Sequence, residues 1–244
     1  MKKLLLSIIA ILVIVLGITI YKNNKQEDNT IYIQAAASMK SALDEVISTI
    51  DQSKYDIVVN YGGSGTLVNQ IQQGAPCDIF ISASEDHFKT LEQSNKMVEK
   101  SNFLSNSLVL IENKDNQFRD IENINKIAVG TPDVVPAGNY AIQTLKSLDL
   151  YDKVSDKLVY TKDVSEVLTY VESNNVEYGF VYKTDALKSS KVNIVQEIDN
   201  NLHDEIIYPI GLLSSSKKAK EVYDQIISSQ SKDTFIKYGF TIYE

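Results

Sequence analysis

Cysteine and histidine are scarce in this chain of 244 residues, which has one cysteine, Cys77, and two histidines, His87 and His203. A single thiol makes no disulfide within the chain, so cysteine usage does not identify the redox compartment. The two histidines are too far apart in sequence to form a metal-ligand motif, and we expect no protein-ligated metal cofactor. Cys77 opens an apolar run, which predicts a buried and inert thiol.

Basic residues are also in short supply, because 24 lysines and arginines face 32 aspartates and glutamates, for a formal net charge of −8. The first 30 residues hold four lysines and two acids, which leaves 20 basic and 30 acidic residues in the remainder. Nucleic-acid backbones require a basic footprint, so no nucleic-acid partner is expected. Any anionic ligand must be held by local geometry against an unfavourable net field.

The common phosphate-binding and nucleophile motifs are missing as well. Neither G-x-x-x-x-G-K-[ST] nor G-x-G-x-x-G occurs in the chain. The segment Gly62–Thr66 differs from the hydrolase elbow G-x-S-x-G because Thr66 stands where the last glycine belongs. Nothing around His87 or His203 favours either as the base of a hydrolase. A membrane-anchored serine hydrolase with Ser64 as nucleophile therefore stays a minor alternative.

The chain does contain two serine-bearing junctions, Ala35–Ser38 and Tyr61–Thr66, each where a predicted strand runs into a predicted helix. Each offers a serine hydroxyl and backbone N–H groups, and neither has lysine or arginine in the turn before the helix. This combination suits an anion held by hydrogen bonds and helix dipoles rather than by charge pairing. The alternative is that Ser38 and Ser64 only cap their helices.

The N-terminus resembles an export signal, because Lys2-Lys3 precedes an apolar run from Leu4 to Ile20. The run is at the lower limit for a membrane-spanning helix. No small-x-small cleavage pattern follows it, and no cysteine is there to accept a lipid. We predict that residues 1–30 form an uncleaved anchor and tether with the rest of the chain outside the cell. A cleaved signal peptide is the alternative.

Strand and helix patterns alternate through the rest of the chain. The predicted strands cover residues 31–35, 57–61, 78–81, 107–111, 126–130, 178–182 and 206–213. Helical spacing of apolar residues, with a capping box from Asp163 to Glu166, indicates helices near 39–50, 67–71, 137–148, 164–171 and 219–227. This pattern predicts an α/β fold of two lobes, each a mostly parallel sheet flanked by helices, with a ligand cleft between the lobes.

Seven segments in a fixed order resemble the molybdate-binding proteins of molybdate ABC transporters, which are bacterial extracytoplasmic solute receptors. The segments are AAASMKSAL (35–43), GSGTLVNQIQQGAPCDIFISAS (63–84), NSLVL (106–110), AVGTPDVVPAGNYA (128–141), DVSEVLTYVE (163–172), YGFVYKTDA (178–186) and KYGF (237–240). The resemblance implies a type II periplasmic-binding-protein fold. Lobe 1 would hold 31–106 plus 206–244, lobe 2 would hold 107–205, and the hinge would lie near Asn106-Ser107 and Tyr208-Pro209.

The resemblance also implies which residues hold the oxyanion: Ser38, Ser64, Ala137, Val164 and Tyr182. The serines and the tyrosine would donate hydroxyl protons, and Ala137 and Val164 would donate backbone N–H groups. Such a set supplies only donors, which favours a fully deprotonated dianion over monohydrogen phosphate. Gly63 and Gly65 stand where the family often has serines, and we expect them to add loop freedom. Asp163 is expected to cap a helix and Asp133 to face away.

The function implied is the capture of molybdate or tungstate and its delivery to an ABC transporter permease, by a monomer without cofactor or catalysis. A receptor for another tetrahedral oxyanion, such as sulfate, is an open alternative, because only cavity size would exclude it. A sensory or adhesive domain is a further possibility of a different class.

Overall fold

The structure is a computed structural model, and it describes residues 29–94, 97–116 and 124–243. The predicted anchor covers residues 1–30, of which 1–28 lie outside the described residues. Within the described ranges, no helix has the length and apolar character needed to cross a membrane.

The described strands and helices alternate along most of the chain. In chain order, strands β1 to β11 cover Thr30–Ala36, Asp56–Gly62, Ile79–Ile81, Glu99–Ser105, Leu108–Asn113, Ile127–Gly130, Leu158–Thr161, Tyr178–Tyr182, Val192–Glu197, Ile207–Leu212 and Thr241–Ile242. Helices α1 to α9 cover Lys40–Ser48, Ser64–Gln72, Glu85–Glu92, Pro136–Ser147, Tyr151–Val154, Val164–Glu172, Lys183–Ala186, Lys217–Ile226 and Ser229–Lys237. A short 3-10 turn, Ala37–Met39, joins β1 to α1.

The strands form two separate sheets, each of which is the centre of one lobe. A six-stranded sheet has the order β11-β4-β10-β3-β1-β2, and a five-stranded sheet has the order β7-β6-β8-β5-β9. We call the parts built on them lobe 1 and lobe 2. The predicted α/β class with two lobes is confirmed, while the residue boundaries given above for the lobes stay a prediction.

Both sheets are mixed, whereas the alternating pattern predicts mostly parallel ones. β1 pairs parallel with β3, and β6 pairs parallel with β7 and β8. However, β10 runs antiparallel to β3 and β4, and β5 runs antiparallel to β8 and β9. Parallel neighbours need a crossover, usually a helix. β5 of lobe 2 follows β4 of lobe 1 after only two residues, and β10 of lobe 1 follows β9 of lobe 2 along the chain. Neither strand is therefore joined by a crossover helix to a preceding strand of its own sheet.

The predicted helix start at Asp163 is confirmed. Asp163 is the N-cap of α6, and its Oδ1 accepts a hydrogen bond of 2.9 Å from the N–H of Glu166. The Glu166 carboxylate reaches back to the N–H of Lys162 at 2.9 Å, one residue before the donor of a standard capping box. The carboxylate of Asp163 is thus occupied in starting the helix.

Cys77 is half-buried, not fully buried as its sequence context predicts, and it follows the exposed Pro76. Its Sγ lies 3.4 Å from the carbonyl oxygen of Ile79. Burial raises the pKa of the thiol to about 12, so the thiol stays protonated at neutral pH. The prediction of an inert thiol is consistent with that protonation.

Candidate anion-binding cleft

A small cavity lies where the two lobes meet, and it is lined by all five predicted site residues. Lobe 1 contributes Ala36, Ala37, Ser38, Gly62, Gly63, Ser64 and Ala83, and lobe 2 contributes Val135, Pro136, Ala137, Asp163, Val164 and Tyr182. The cavity is small and, in this arrangement of the lobes, too narrow for a peptide or a sugar.

Three helices begin at the cavity. Ser64 is the first residue of α2, Pro136 and Ala137 open α4, and Val164 is the first residue of α6. The first N–H groups of a helix have no acceptor within the helix, and the helix dipole places partial positive charge there. Pro136 suits the first position because it has no N–H to leave unpaired. The three helix starts together favour a bound anion.

Neither serine is a helix cap, so the capping alternative is wrong for both. The N-cap of α2 is Gly63, and the residue before the 3-10 turn that contains Ser38 is Ala36, with no side-chain cap hydrogen bond at either. The Oγ atom of Ser64 instead accepts a hydrogen bond of 3.0 Å from the N–H of Ala83. Its own proton therefore remains available for a group in the cavity.

Tyr182 supplies a hydroxyl that no described residue satisfies. Its side chain is 1% exposed, and its Oη has no hydrogen-bond partner within the described part of the chain. Burial raises the pKa of Tyr182 well above its usual value, so the phenol keeps its proton and acts as a donor. An unpaired buried hydroxyl costs free energy, and a bound acceptor would remove that cost.

The charged groups near the cavity offer no free charge to a ligand at its centre. Asp163 is the one charged residue among those that line it, and its carboxylate caps α6. Asp133 is exposed and is not among the lining residues, which is consistent with the prediction that it faces away. A lysine also lies near the cavity, Lys188 of lobe 2, and the sequence analysis does not single it out as a site residue. Its Nζ donates to the carbonyl oxygen of Ser38 at 3.0 Å and pairs with Asp185 at 3.2 Å.

The lobes touch each other directly around the cavity. The N–H of Gly65 in lobe 1 donates to the carbonyl of Val134 in lobe 2 at 2.9 Å. The hydroxyl of Tyr140 in lobe 2 donates to the carbonyl of Ala83 in lobe 1 at 3.3 Å. With the bond from Lys188 to Ser38, these contacts describe a closed arrangement of the lobes.

Gly63 and Gly65 are needed for this close approach and not for loop freedom, which corrects the expectation from sequence. Neither glycine has a positive φ. A Cβ atom on Gly63 would lie 2.8 Å from the carbonyl oxygen of Val134. A Cβ on Gly65 would lie 2.7 Å from the Cα of Val134 and 2.8 Å from the carbonyl oxygen of Asp133. Side chains at these positions would hold the lobes apart.

The geometry does not support the hydrolase alternative. Within the described residues, Ser64 Oγ has the Ala83 N–H as its hydrogen-bond partner, and no bond joins it to His87 or His203. His203 Nδ1 lies 2.7 Å from the carbonyl oxygen of Asp204. The described ranges also contain no cluster of histidine, cysteine and acidic side chains that could hold a metal ion.

Asp185, the partner of Lys188, gives the folded state a pH dependence. Burial raises its pKa to about 6, against a usual value of 3.8, although Lys188 acts in the opposite direction. The folded chain therefore holds this proton more tightly than the unfolded chain, and its stability falls as pH rises through this range. We expect the unfolding free energy of the wild type to fall by about 2–3 kcal/mol relative to Asp185→Asn between pH 4 and pH 7.

Urea unfolding of both proteins across that pH range measures this difference. The asparagine keeps an oxygen that can accept from Lys188, so the comparison isolates the titration of Asp185. Parallel pH profiles for the two proteins would contradict the prediction.

Two α/β lobes that close over helix N-termini and neutral donors define the class of two-lobed solute-binding proteins. The chain belongs to the family of bacterial extracellular solute-binding proteins, because the sequence model of that family matches residues 31–241. The family comprises binding proteins rather than enzymes, and its members act outside the cytoplasm.

Named relatives agree with this family. YvgL of Bacillus subtilis, a protein described as a putative ABC transporter substrate-binding lipoprotein, is 44% identical over 224 residues, covering 87% of this chain and 86% of the relative. The molybdate-binding protein ModA of Escherichia coli is 31% identical over 243 residues, covering 93% and 95%. The solved substrate-binding domain attributed to a molybdenum ABC transporter of Clostridium difficile is 38% identical, with a TM-score of 0.67, covering 88% and 99%.

Proposed function

We propose that this chain captures molybdate outside the cytoplasm and delivers it to the membrane permease of an ABC transporter. The observation that carries the proposal is the convergence of Ser38, Ser64, Ala137, Val164 and Tyr182 on one cavity between the lobes. The proposal is further supported by relatives named for molybdate binding that match nearly the whole chain. Molybdate would be the transported ligand and not a cofactor.

In this proposal the two lobes each supply part of the hydrogen-bond shell. Ser38 and Ser64 of lobe 1 donate hydroxyl and N–H groups, Ala137 and Val164 of lobe 2 donate N–H groups, and Tyr182 donates its phenol. Seven donors to a charged ligand, at roughly 1.5–3 kcal/mol each, give on the order of 10–20 kcal/mol before desolvation and ordering are subtracted. Micromolar affinity needs about 8 kcal/mol, so the shell suffices without a basic side chain.

Closure follows from the division of donors between the lobes. A ligand that is satisfied only when both lobes contact it binds the closed arrangement more tightly than the open one. Such a ligand shifts the population of the protein towards closure. Closure would then be the signal that the permease reads.

Tungstate has nearly the same size and charge as molybdate, and the same donors would hold it. We further propose that residues 1–30 keep the protein at the outer face of the membrane, or that they act as a signal for its secretion. The protein would act as a monomer.

Calorimetric titration with molybdate, tungstate, sulfate and phosphate tests the proposed function. We expect molybdate and tungstate to bind with micromolar or tighter affinity, and sulfate at least about tenfold more weakly. Sulfate binding as tight as molybdate binding would favour the alternative receptor. The absence of both heat and thermal stabilisation with molybdate would contradict the proposal altogether.

Replacement Tyr182→Phe tests the role of the unpartnered hydroxyl. We expect the affinity for molybdate to fall about 10- to 100-fold, since a hydrogen bond to a charged group contributes roughly 1.5–3 kcal/mol. The ligand-free variant should be as stable as the wild type or more so, because an unsatisfied buried hydroxyl is removed. Titration and thermal unfolding measure the two effects, and a parallel loss of affinity and stability would contradict the assignment.

A further inference from the structure

A chain of hydrogen bonds lies directly behind Ser38, at the connection between the lobes. The Nδ2 atom of Asn106 donates to Thr184 Oγ1 at 2.9 Å and to Tyr208 Oη at 3.3 Å. Tyr208 Oη lies 2.9 Å from Ser38 Oγ. Tyr208 is fully buried and does not line the cavity, so its hydroxyl reaches the cavity through Ser38.

The direction of these bonds is fixed at Asn106. Its Oδ1 accepts from the N–H of Ser107 at 2.9 Å, which turns its Nδ2 towards Tyr208. An amide nitrogen can only donate, so the oxygen of Tyr208 must accept. Burial raises the pKa of Tyr208 well above its usual value, and the phenol keeps its one proton.

The hydroxyl proton of Tyr208 then has one hydrogen-bond acceptor. Among the described residues, the hydrogen bonds of its hydroxyl go to Asn106 and Ser38, and Asn106 does not accept it. Tyr208 therefore donates to Ser38 Oγ. The oxygen of Ser38 is engaged as an acceptor, and its own proton is left for the cavity.

We propose that Asn106 and Tyr208 are positioning residues that hold the Ser38 hydroxyl as a donor and so make the site reject oxyanions that carry a proton. The inference rests on the proposed function and deepens it to a rule of ligand selection. It concerns residues outside the shell that contacts the ligand.

The selection follows from the two roles that a hydroxyl can take. A free serine hydroxyl can donate a hydrogen bond to an oxyanion or accept one from a protonated oxygen of the ligand. Monohydrogen phosphate carries a P–OH group that needs an acceptor once it is buried. With Ser38 held as a donor by Tyr208, its oxygen could accept from that P–OH group only if the Ser38 proton lost its own acceptor. One buried donor then stays unpaired, which weakens binding. Molybdate carries no proton and does not suffer this loss.

The tyrosine is held rigidly enough to serve this purpose. Its ring packs edge-on against Tyr182, with ring centroids 5.7 Å apart, and against Phe240, with centroids 5.4 Å apart. Tyr208 lies in β10 of lobe 1, and Asn106 lies in the two-residue link from β4 to β5. The direction of the Ser38 proton is thus set where the chain crosses between the lobes.

We call the hydrogen bonds from Asn106 through Tyr208 to Ser38 the relay. Replacement Asn106→Asp reverses the direction of these hydrogen bonds. A carboxylate at position 106 keeps the hydrogen bond from the Ser107 N–H and accepts a hydrogen bond from the Tyr208 hydroxyl. The Tyr208 oxygen then accepts from Ser38, and a lone pair of Ser38 faces the cavity.

Replacement Tyr208→Phe removes the relay and leaves the Ser38 hydroxyl free to turn. Tyr223→Phe is the matched control, since Tyr223 is equally buried in α8 and does not line the cavity.

The test is calorimetry of each folded variant with molybdate and with inorganic phosphate, at mildly alkaline pH where phosphate is chiefly the monohydrogen dianion. For Asn106→Asp we expect the ratio of molybdate affinity to phosphate affinity to fall about tenfold or more. Both ligands are dianions, so the added charge cancels in the ratio. For Tyr208→Phe we expect a fall of about threefold, and for Tyr223→Phe no change. Where wild-type binding of phosphate is too weak to measure, new competition by phosphate in the variants is the expected result.

An unchanged ratio in both relay variants, with the two affinities falling together, would overturn the inference and leave Tyr208 a structural role only. If Asn106→Asp does not fold, Tyr208→Phe alone decides the question. A wild-type protein that binds phosphate but not molybdate contradicts the proposed function and the relay together. A wild-type protein that binds molybdate, with variants of unchanged ratio, contradicts the relay alone.

Discussion

Replacement Gly65→Ala is expected to weaken molybdate binding by about a hundredfold or more. The added Cβ would lie 2.7 Å from the Cα of Val134 and 2.8 Å from the carbonyl oxygen of Asp133, both on the opposite lobe. These are backbone atoms, which cannot turn aside as a side chain can. The same clash breaks the 2.9 Å bond from the Gly65 N–H to Val134. A loss of about 2.7 kcal/mol in closing the lobes corresponds to the hundredfold effect.

The measurement is titration with molybdate together with urea unfolding of the ligand-free protein. Gly74→Ala is the control, because Gly74 has no atom within 4 Å of an added Cβ but has a φ of +98°. Its variant should lose about 1 kcal/mol of stability through backbone strain and keep its affinity. Gly65→Ala should show the reverse pattern, with affinity lost and each lobe still folded. Wild-type affinity in Gly65→Ala would mean that ligand binding does not require this approach of the lobes.

Replacement Gly138→Ala is expected to lower the free energy of unfolding by about 4 kcal/mol or to prevent folding of lobe 2. Gly138 is the third residue of α4, and an added Cβ would lie 2.0 Å from the carbonyl oxygen of Gly130. Gly130 belongs to β6, which is held on both sides by β7 and β8. The helix would have to move away from the sheet, and overpacking against backbone is among the costlier core changes.

Urea unfolding compares this variant with Gly179→Ala as the matched control. A Cβ on Gly179, in β8 of the same lobe, would meet the side chains of Val167 and Val171 at 2.7 and 2.8 Å. Side chains can rotate, so this variant should lose only about 1–3 kcal/mol. Equal stability of Gly138→Ala and wild type would contradict the close packing of α4 on β6. That packing holds the N–H of Ala137 at the cavity.

The strands that sequence reasoning located are those with strongly apolar segments. The segment predicted at 178–182 coincides with β8, all five residues of which are buried. The strands it missed, β4, β7, β9 and β11, are short or largely exposed, and β7, β9 and β11 lie at sheet edges. An edge strand shows little apolar pattern because much of it faces solvent.

The candidate site was predicted as far as local patterns reach. Strand-to-helix junctions point to Ser38 and Ser64, and a resemblance adds the residues of lobe 2. Sequence reasoning did not identify Lys188 and Tyr208, because their roles depend on contacts with Ser38, which lies 150 and 170 positions away in sequence. A tyrosine in a buried strand is typical of an apolar core, and nothing local marks it as a hydrogen-bond donor. Such pairings become visible only when the chain is folded.

The neutral lining of the cavity has a consequence for the protein as a whole. Helix starts and hydroxyls attract an anion through dipoles, which carry no net charge of their own. No lysine or arginine among the lining residues offsets the charge of the ligand locally. Binding would add the full charge of the dianion to a protein that is already acidic. The loaded receptor would migrate faster towards the anode in a native gel, and its partner in the membrane would meet a different electric field.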